Sequence, residues 1–261
     1  MSEQIVLRCE NSMDGIFTAI YDAFVLKKQM GEYTDSISIS IGEGGNYLLF
    51  AREVKVDTDG DKANKTVQTI QSKLGFAVYR TVFGALCHYD EDRATVVLGY
   101  LVRAFSKGSR VWECLADPYV IRVMELSRKV SNESEKFMGF LRFRDVGGFL
   151  FSEIEPKCDV IQSMREHFED RYPNENFIIY DARHKYALVH PAFRRAFFVE
   201  GENILEQLSG EEWTSLTARD EYEELWKQYF ASMGIEAREN ERCQSTLLPK
   251  WYRKHMLEFV K

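Results

Sequence analysis

His167 and Arg171 stand four residues apart in IQSMREHFEDR, so on a helix they share one side near its C-terminal end. A histidine so placed can act as a general base or donate to a phosphate, with Arg171 as an anion clamp. The competing arrangement is a core-edge histidine bonded to a carbonyl, with Arg171 answering the negative end of the helix dipole. Asp181, Arg183 and His184 fall where the apolar run from Phe177 ends and a turn begins. Asp181 and Arg183 share one face if the strand continues, which suits an ion pair across a sheet. With His167 beside it, Asp181 would complete an acid–histidine pair for a hydrolase or base-processing enzyme, and His167, Arg171 and Asp181 are the catalytic candidates. No GxSxG nucleophile motif occurs.

Arg142 and Arg144 alternate with Phe143, so a strand would carry both guanidinium groups on one face, toward a phosphate backbone or toward solvent. The C-terminal LLPKWYRKHMLEF places Lys250, Trp251, Tyr252, Arg253 and Lys254 together. Trp or Tyr can stack on an unpaired base while Arg and Lys meet phosphates; alternatively the rings anchor a docking helix and only the charges are exposed. With Arg183, these residues are the expected nucleic-acid contacts. No metal site is expected, because the histidines are scattered and neither HxxxH nor HExxH appears. No cofactor is expected either: there is no CxxxCxxC for a radical SAM cluster, and GEGG at 42–45 lacks the Lys and Ser or Thr of a P-loop.

A formal charge of −7 argues against indiscriminate duplex binding, which depends on neutralising many phosphates. The charge is segregated. Nine acids face Arg219 alone between Glu200 and Glu224, whereas 182–199 and 242–257 each carry a net +4. A local basic face on an acidic protein follows, suited to nucleic acid or an acidic partner, with the acidic stretch turned to a partner or solvent. The five cysteines are odd in number and widely spread, which suits a reducing compartment. The first ten residues include acids and no signal-like apolar run, and no long uncharged apolar stretch follows, so a cytoplasmic protein without a membrane segment is expected.

The elements that must position these residues read as α+β, a largely helical scaffold with a small antiparallel sheet. Ile5–Arg8 reads as a strand, and Ile16, Phe17, Ile20, Tyr21 and Phe24 recur at helical spacing after it. Residues 36–41 and 47–50 flank the glycines as a hairpin, completing an N-terminal β-α and hairpin portion. Helical patterns fill 60–136, and Asp117-Pro118 opens another helix. Then FMGFLRFRDVGGFLFSEI reads as a hairpin about Gly147 and Gly148, followed by a helix from about Asp159 and strands near 176–180 and 187–189, in the order β-β-α-β-β. A basic, aromatic helix is expected over 248–260. The whole reads as a single compact domain, 1–261, with sub-regions 1–135 and 136–261.

Three long strings, CENSMDGIFTAIYDAF, FMGFLRFRDVGGFLFSEIEPKCDVIQSMREHFEDRYPNENFIIYDARH and IEARENERCQSTLLPKWYRKHMLEF, resemble the bacterial "probable DNA metabolism protein" family, whose shared part is a domain of unknown function. The resemblance implies a setting of DNA repair or modification, in partnership with a radical SAM protein encoded nearby. Some members of that family carry a further domain of the uracil-DNA glycosylase superfamily, and the chain is expected to lack that activity because it stops at Lys261. The resemblance supplies no catalytic residues. The function expected is therefore that of an accessory protein binding single-stranded or damaged DNA, with the hydrolase and a protein-only scaffold as alternatives.

Overall fold

The computed structural model describes residues 4–30, 36–42, 51–200, 221–233, 240–256 and 258–259. The class is α+β, with two small sheets among helices. Two compact units divide the chain, Met1–Val130 and Ser131–Lys261.

In the first unit, β1 (Gln4–Cys9) lies between β2 (Ile37–Ile41) and β3 (Ala51–Lys55). Both neighbours run parallel to β1, Ile5 pairing with Ile37 and with Arg52. The expected hairpin is thus replaced by two parallel edge strands, and Tyr47–Phe50 lies outside the described residues. The physical reason is the apolar content of β1: Ile5, Val6 and Leu7 are all buried, as a central strand covered on both faces requires.

Around this sheet stand α1 (Met13–Met30), α2 (Gly60–Leu74), α3 (Phe76–Leu86) and α4 (Arg93–Lys107), with the first part of α5 (Pro118–Phe140). Ile16, Ile20, Ile70, Val82, Val97, Leu101 and Leu126 form part of one core. Asp59 caps α2, its carboxylate accepting from the N–H groups of Asp61 and Lys62 at 2.9 and 3.1 Å. Thr18 on α1 donates to the Asp59 carbonyl at 3.0 Å and so ties the two helices at that end.

The second unit begins within α5. Its sheet has the order β4 (Arg144–Val146), β5 (Phe149–Ile154), β6 (Phe177–Asp181), β7 (Tyr186–His190), β8 (Phe197–Glu200). Gly147 and Gly148 have φ of 60° and 90°, the two left-handed positions of a tight hairpin turn, and the Gly148 N–H bonds the Asp145 carboxylate at 2.9 Å. The sheet is mixed rather than wholly antiparallel, because α6 (Ile161–Arg171) returns the chain so that β6 runs parallel to β5. The pairs β6–β7 and β7–β8 are antiparallel.

The C-terminal region holds α7 (Glu221–Met233), α8 (Glu241–Leu247) and a 3₁₀ turn at Lys250–Arg253. The continuous helix expected over 248–260 does not form. Pro249, with ψ of 148°, is extended and has no N–H to give, so it separates α8 from the turn. The acidic run expected to meet a partner has its residues 201–220 outside the described set. No helix among the described residues is long and apolar enough to cross a membrane.

Candidate functional site

Most of the chemistry-bearing residues of the second unit gather at the exit of β5, the β6–β7 turn and the 3₁₀ turn. β6 is buried along its whole length, so Asp181 at its end is fully buried and needs partners for both oxygens. One oxygen accepts from the N–H groups of Arg183 and His184 at 2.9 and 3.0 Å; the other lies 2.6 Å from His184 Nδ1. The Asp181 carbonyl also accepts from Lys185 N–H at 2.9 Å, and Lys185 takes the left-handed φ of 62°. Burial alone would lower the His184 pKa. The Asp181 hydrogen bond and the charges of Asp181 and Asp159 outweigh that and the opposing Arg183, so the pKa is raised above the ordinary imidazole value. Asp159 in turn accepts a hydrogen bond from the Tyr186 hydroxyl.

The imidazole that meets Asp181 is therefore His184, not His167. His167 lies on α6 with its ring edge-on to Phe168 and a buried Nε2 that has no hydrogen-bond partner among the described residues. Arg171 turns to Tyr172, its guanidinium 5.7 Å from the ring centroid and its Nε 3.4 Å from the hydroxyl. The three catalytic candidates thus divide between two surroundings. An i,i+3 contact within one turn was the available signal for His184, since an aspartate at the end of a strand commonly accepts from the turn that follows it.

Trp251 is 41% exposed and fixed at its edge, its indole N–H donating to the Glu155 carbonyl at 3.0 Å. Two exposed cations lie by its ring, Lys157 at 5.1 Å and Arg183 at 5.4 Å from the centroid. Lys250 is exposed on the same 3₁₀ turn. Lys254 bonds the Glu155 carboxylate, which holds that acid below the usual carboxylate range. Tyr252 is an anchor, its ring packed on Phe137 and Phe140 at 4.9 and 5.9 Å. Burial, with the charges of Glu133 and Cys158, pushes its hydroxyl up to about 12. Arg253 donates to the Leu248 carbonyl at 3.0 Å and lies over Phe259.

Arg142 and Arg144 do not form a paired cationic strand face. Arg142 precedes β4, reaches the Gly139 and Phe140 carbonyls at the end of α5 and the Leu141 carbonyl just past it at 3.2 to 3.5 Å, and pairs with Glu258 at 3.2 Å. A guanidinium at a helix C-terminus answers carbonyls that have no intrahelical partner. Phe143 between them is drawn into Phe168, Tyr172 and Phe177, and Arg144 opens β4 with its guanidinium 5.1 Å from the Phe151 ring centroid.

Beside the 3₁₀ turn a shallow hollow is bordered by Phe137, Glu153, Glu155 and His255. One ligand atom from each of Glu153, Glu155 and His255 falls within 4.8 Å of the others, the set among the described residues that could hold a cation. The Glu155 oxygen nearest His255 Nε2, at 3.6 Å, is the one bonded by Lys254, so that ammonium already balances it.

Comparison with curated proteins finds no match. Among solved structures, a chain described as the DHH domain of a member of a ribosomal-protein family is 10% identical over 73% of this chain and 74% of that chain. Its TM-score of 0.32 is too slight a likeness to bear on fold or function. A family model does match, over residues 91–258, a span that takes in α4, α5, the five-stranded sheet and the turn carrying Trp251. By that match the chain belongs to the family of the domain of unknown function DUF4130.

Proposed function

We propose that this protein is a DNA-repair or DNA-metabolism accessory protein that binds nucleic acid through the surface around Trp251 and acts with a radical SAM protein. The observation carrying this reading is the half-exposed Trp251 ring with Lys157 and Arg183 beside it, each brought from a different part of the chain. An aromatic face fixed at one edge and flanked by cations on long side chains suits an unpaired base, which stacks while its phosphates meet Lys and Arg. Single-stranded or distorted DNA fits better than intact duplex, whose bases are already stacked. The repair setting and the radical SAM partner come from the family resemblance of the long sequence strings.

A base-processing hydrolase built on His167, Arg171 and Asp181 has less support, because Asp181 spends its oxygens on its own turn and Arg171 turns to Tyr172.

The test is fluorescence anisotropy of labelled single-stranded and duplex DNA at two salt concentrations, with and without the radical SAM protein. Salt-sensitive binding that weakens on Trp251→Ala and on Arg183→Glu is expected. Binding absent in every combination would overturn the reading in favour of a protein-only scaffold.

A further inference from the structure

We propose that the β6–β7 turn, Ala182–Lys185, is a phosphate-binding turn in which the Arg183 guanidinium and the His184 imidazolium hold one backbone phosphodiester of the strand lying on Trp251. The inference deepens the nucleic-acid reading and takes its ligand from it.

Three features of the turn support this site. Arg183, His184 and Lys185 are consecutive, Arg183 and Lys185 exposed and the His184 ring partly so, and the tight turn presents three groups able to carry positive charge. Beneath them the buried Asp181 bonds two N–H groups with one oxygen and His184 Nδ1 with the other, so the imidazole is held in one orientation. With Nδ1 occupied by Asp181, Nε2 is the edge left to meet a ligand, and the side chain is 29% exposed. Arg183 joins the turn to the aromatic surface by lying over Trp251, so a phosphate at Arg183 belongs to a nucleotide near that ring.

The charged groups acting on His184 are Asp181 on β6, Asp159 before α6 and Arg183 on the turn. The two acids favour the imidazolium and Arg183 opposes it. A phosphodiester docking between Arg183 and His184 cancels that opposition, so ligand and proton bind cooperatively. A charge-assisted hydrogen bond from Nε2–H to a phosphate oxygen is available only to the protonated ring.

The experiment follows the histidine ring signals of the intact chain by NMR during titration with dimethyl phosphate, a diester that does not itself ionise between about pH 6 and 8.5. Single-stranded DNA affinity is measured by anisotropy across the same range. His184 signals should move with dimethyl phosphate, their titration midpoint should rise, and DNA should bind roughly tenfold more tightly at the acid end, the lower end of what one hydrogen bond to a charged group contributes. H184Q, which can still donate to Asp181 but carries no charge, should remove that pH dependence, whereas Trp251→Ala should lower affinity and leave it intact. Movement of His184 by dimethyl phosphate without DNA binding would sustain the phosphate site and defeat the nucleic-acid reading. DNA binding that is independent of pH, with His184 signals unmoved, would overturn the phosphate site and leave that reading standing.

Discussion

Glu133 on α5 receives two consecutive backbone N–H groups, those of Lys157 and Cys158, one on each carboxylate oxygen at 2.8 and 2.9 Å. The acid is 8% exposed and clamps the segment leaving β5, the one that carries Glu155, Lys157 and Asp159. The surface around Trp251 therefore rests on a carboxylate that holds the backbone of Lys157 in place. Glu133→Ala leaves two N–H groups without acceptors and should destabilise the protein by about 2–4 kcal/mol, with Glu133→Gln costing less because one acceptor remains. Urea unfolding measures both, and an alanine variant as stable as the parent would remove the clamp from the account.

Trp251→Ala should weaken single-stranded DNA binding by about 1–3 kcal/mol, the range for losing one base–aromatic stack. Trp251→Phe should recover part of that, since the ring persists although the bond to the Glu155 carbonyl is lost. Anisotropy at fixed salt reads both variants, and a phenylalanine variant no better than alanine would point to the indole N–H rather than stacking.

Arg142 separates structural cations from binding cations. Because it serves the end of α5 and Glu258, Arg142→Ala should lower the melting temperature while leaving DNA affinity nearly unchanged. Lys250→Ala should do the reverse, the side chain being exposed on the 3₁₀ turn. Paired thermal melts and binding curves distinguish them; an Arg142 variant of native stability and weak binding would restore the role its sequence suggested.

His184 sets the sign of one pH effect on stability. Its pKa is raised in the folded protein, so the stabilisation is fully present below the unfolded value of about 6.5 and is lost as pH rises through the folded pKa. Glu155 works the other way, its lowered pKa giving stability that is present above the unfolded carboxylate value and lost as pH falls through the folded one. Melting temperatures of the parent and H184Q should therefore diverge most at mildly acidic pH and converge toward alkaline pH. Constant separation across that range would show that the imidazole contributes by packing alone.

In the first unit, α4 and the start of α5 pack closely at Gly99, where a Cβ would lie 2.3 to 2.8 Å from ring atoms of Tyr119. That ring cannot easily withdraw: Arg103 covers it at 4.2 Å and is itself paired with Asp117 at 3.0 Å. Gly99→Ala should cost about 1–3 kcal/mol despite alanine's better helix propensity. A calorimetric melt unchanged by the substitution would mean that the two helices separate freely.

What was legible in the sequence was local. The Gly147-Gly148 turn followed from two adjacent glycines between apolar runs, because a two-residue hairpin turn needs left-handed backbone at both positions and that need is written in the residues themselves. The helices of the first unit followed from apolar spacing, and the α+β class from the change of period near 140. Charge segregation likewise marked 182–199 and 242–257 as basic without any knowledge of packing.

Pairing and partnership were decided by the tertiary structure. Residues 36–41 suit a hairpin or a parallel edge equally well by pattern, and the burial of β1 on both faces selected the parallel arrangement. Arg142 and Arg144 look equivalent in sequence, yet one serves the end of a helix and the other lies over Phe151. Lys157, Arg183 and Trp251 are far apart in the chain and share no spacing that periodicity could reveal. The sequence determined which segments were amphipathic, where the chain turned and where charge collected, since those depend on near neighbours. Only the folded chain decided that Asp181 holds His184 and that two distant cations meet one indole, because such contacts depend on where a strand ends and which loop the sheet brings beside it.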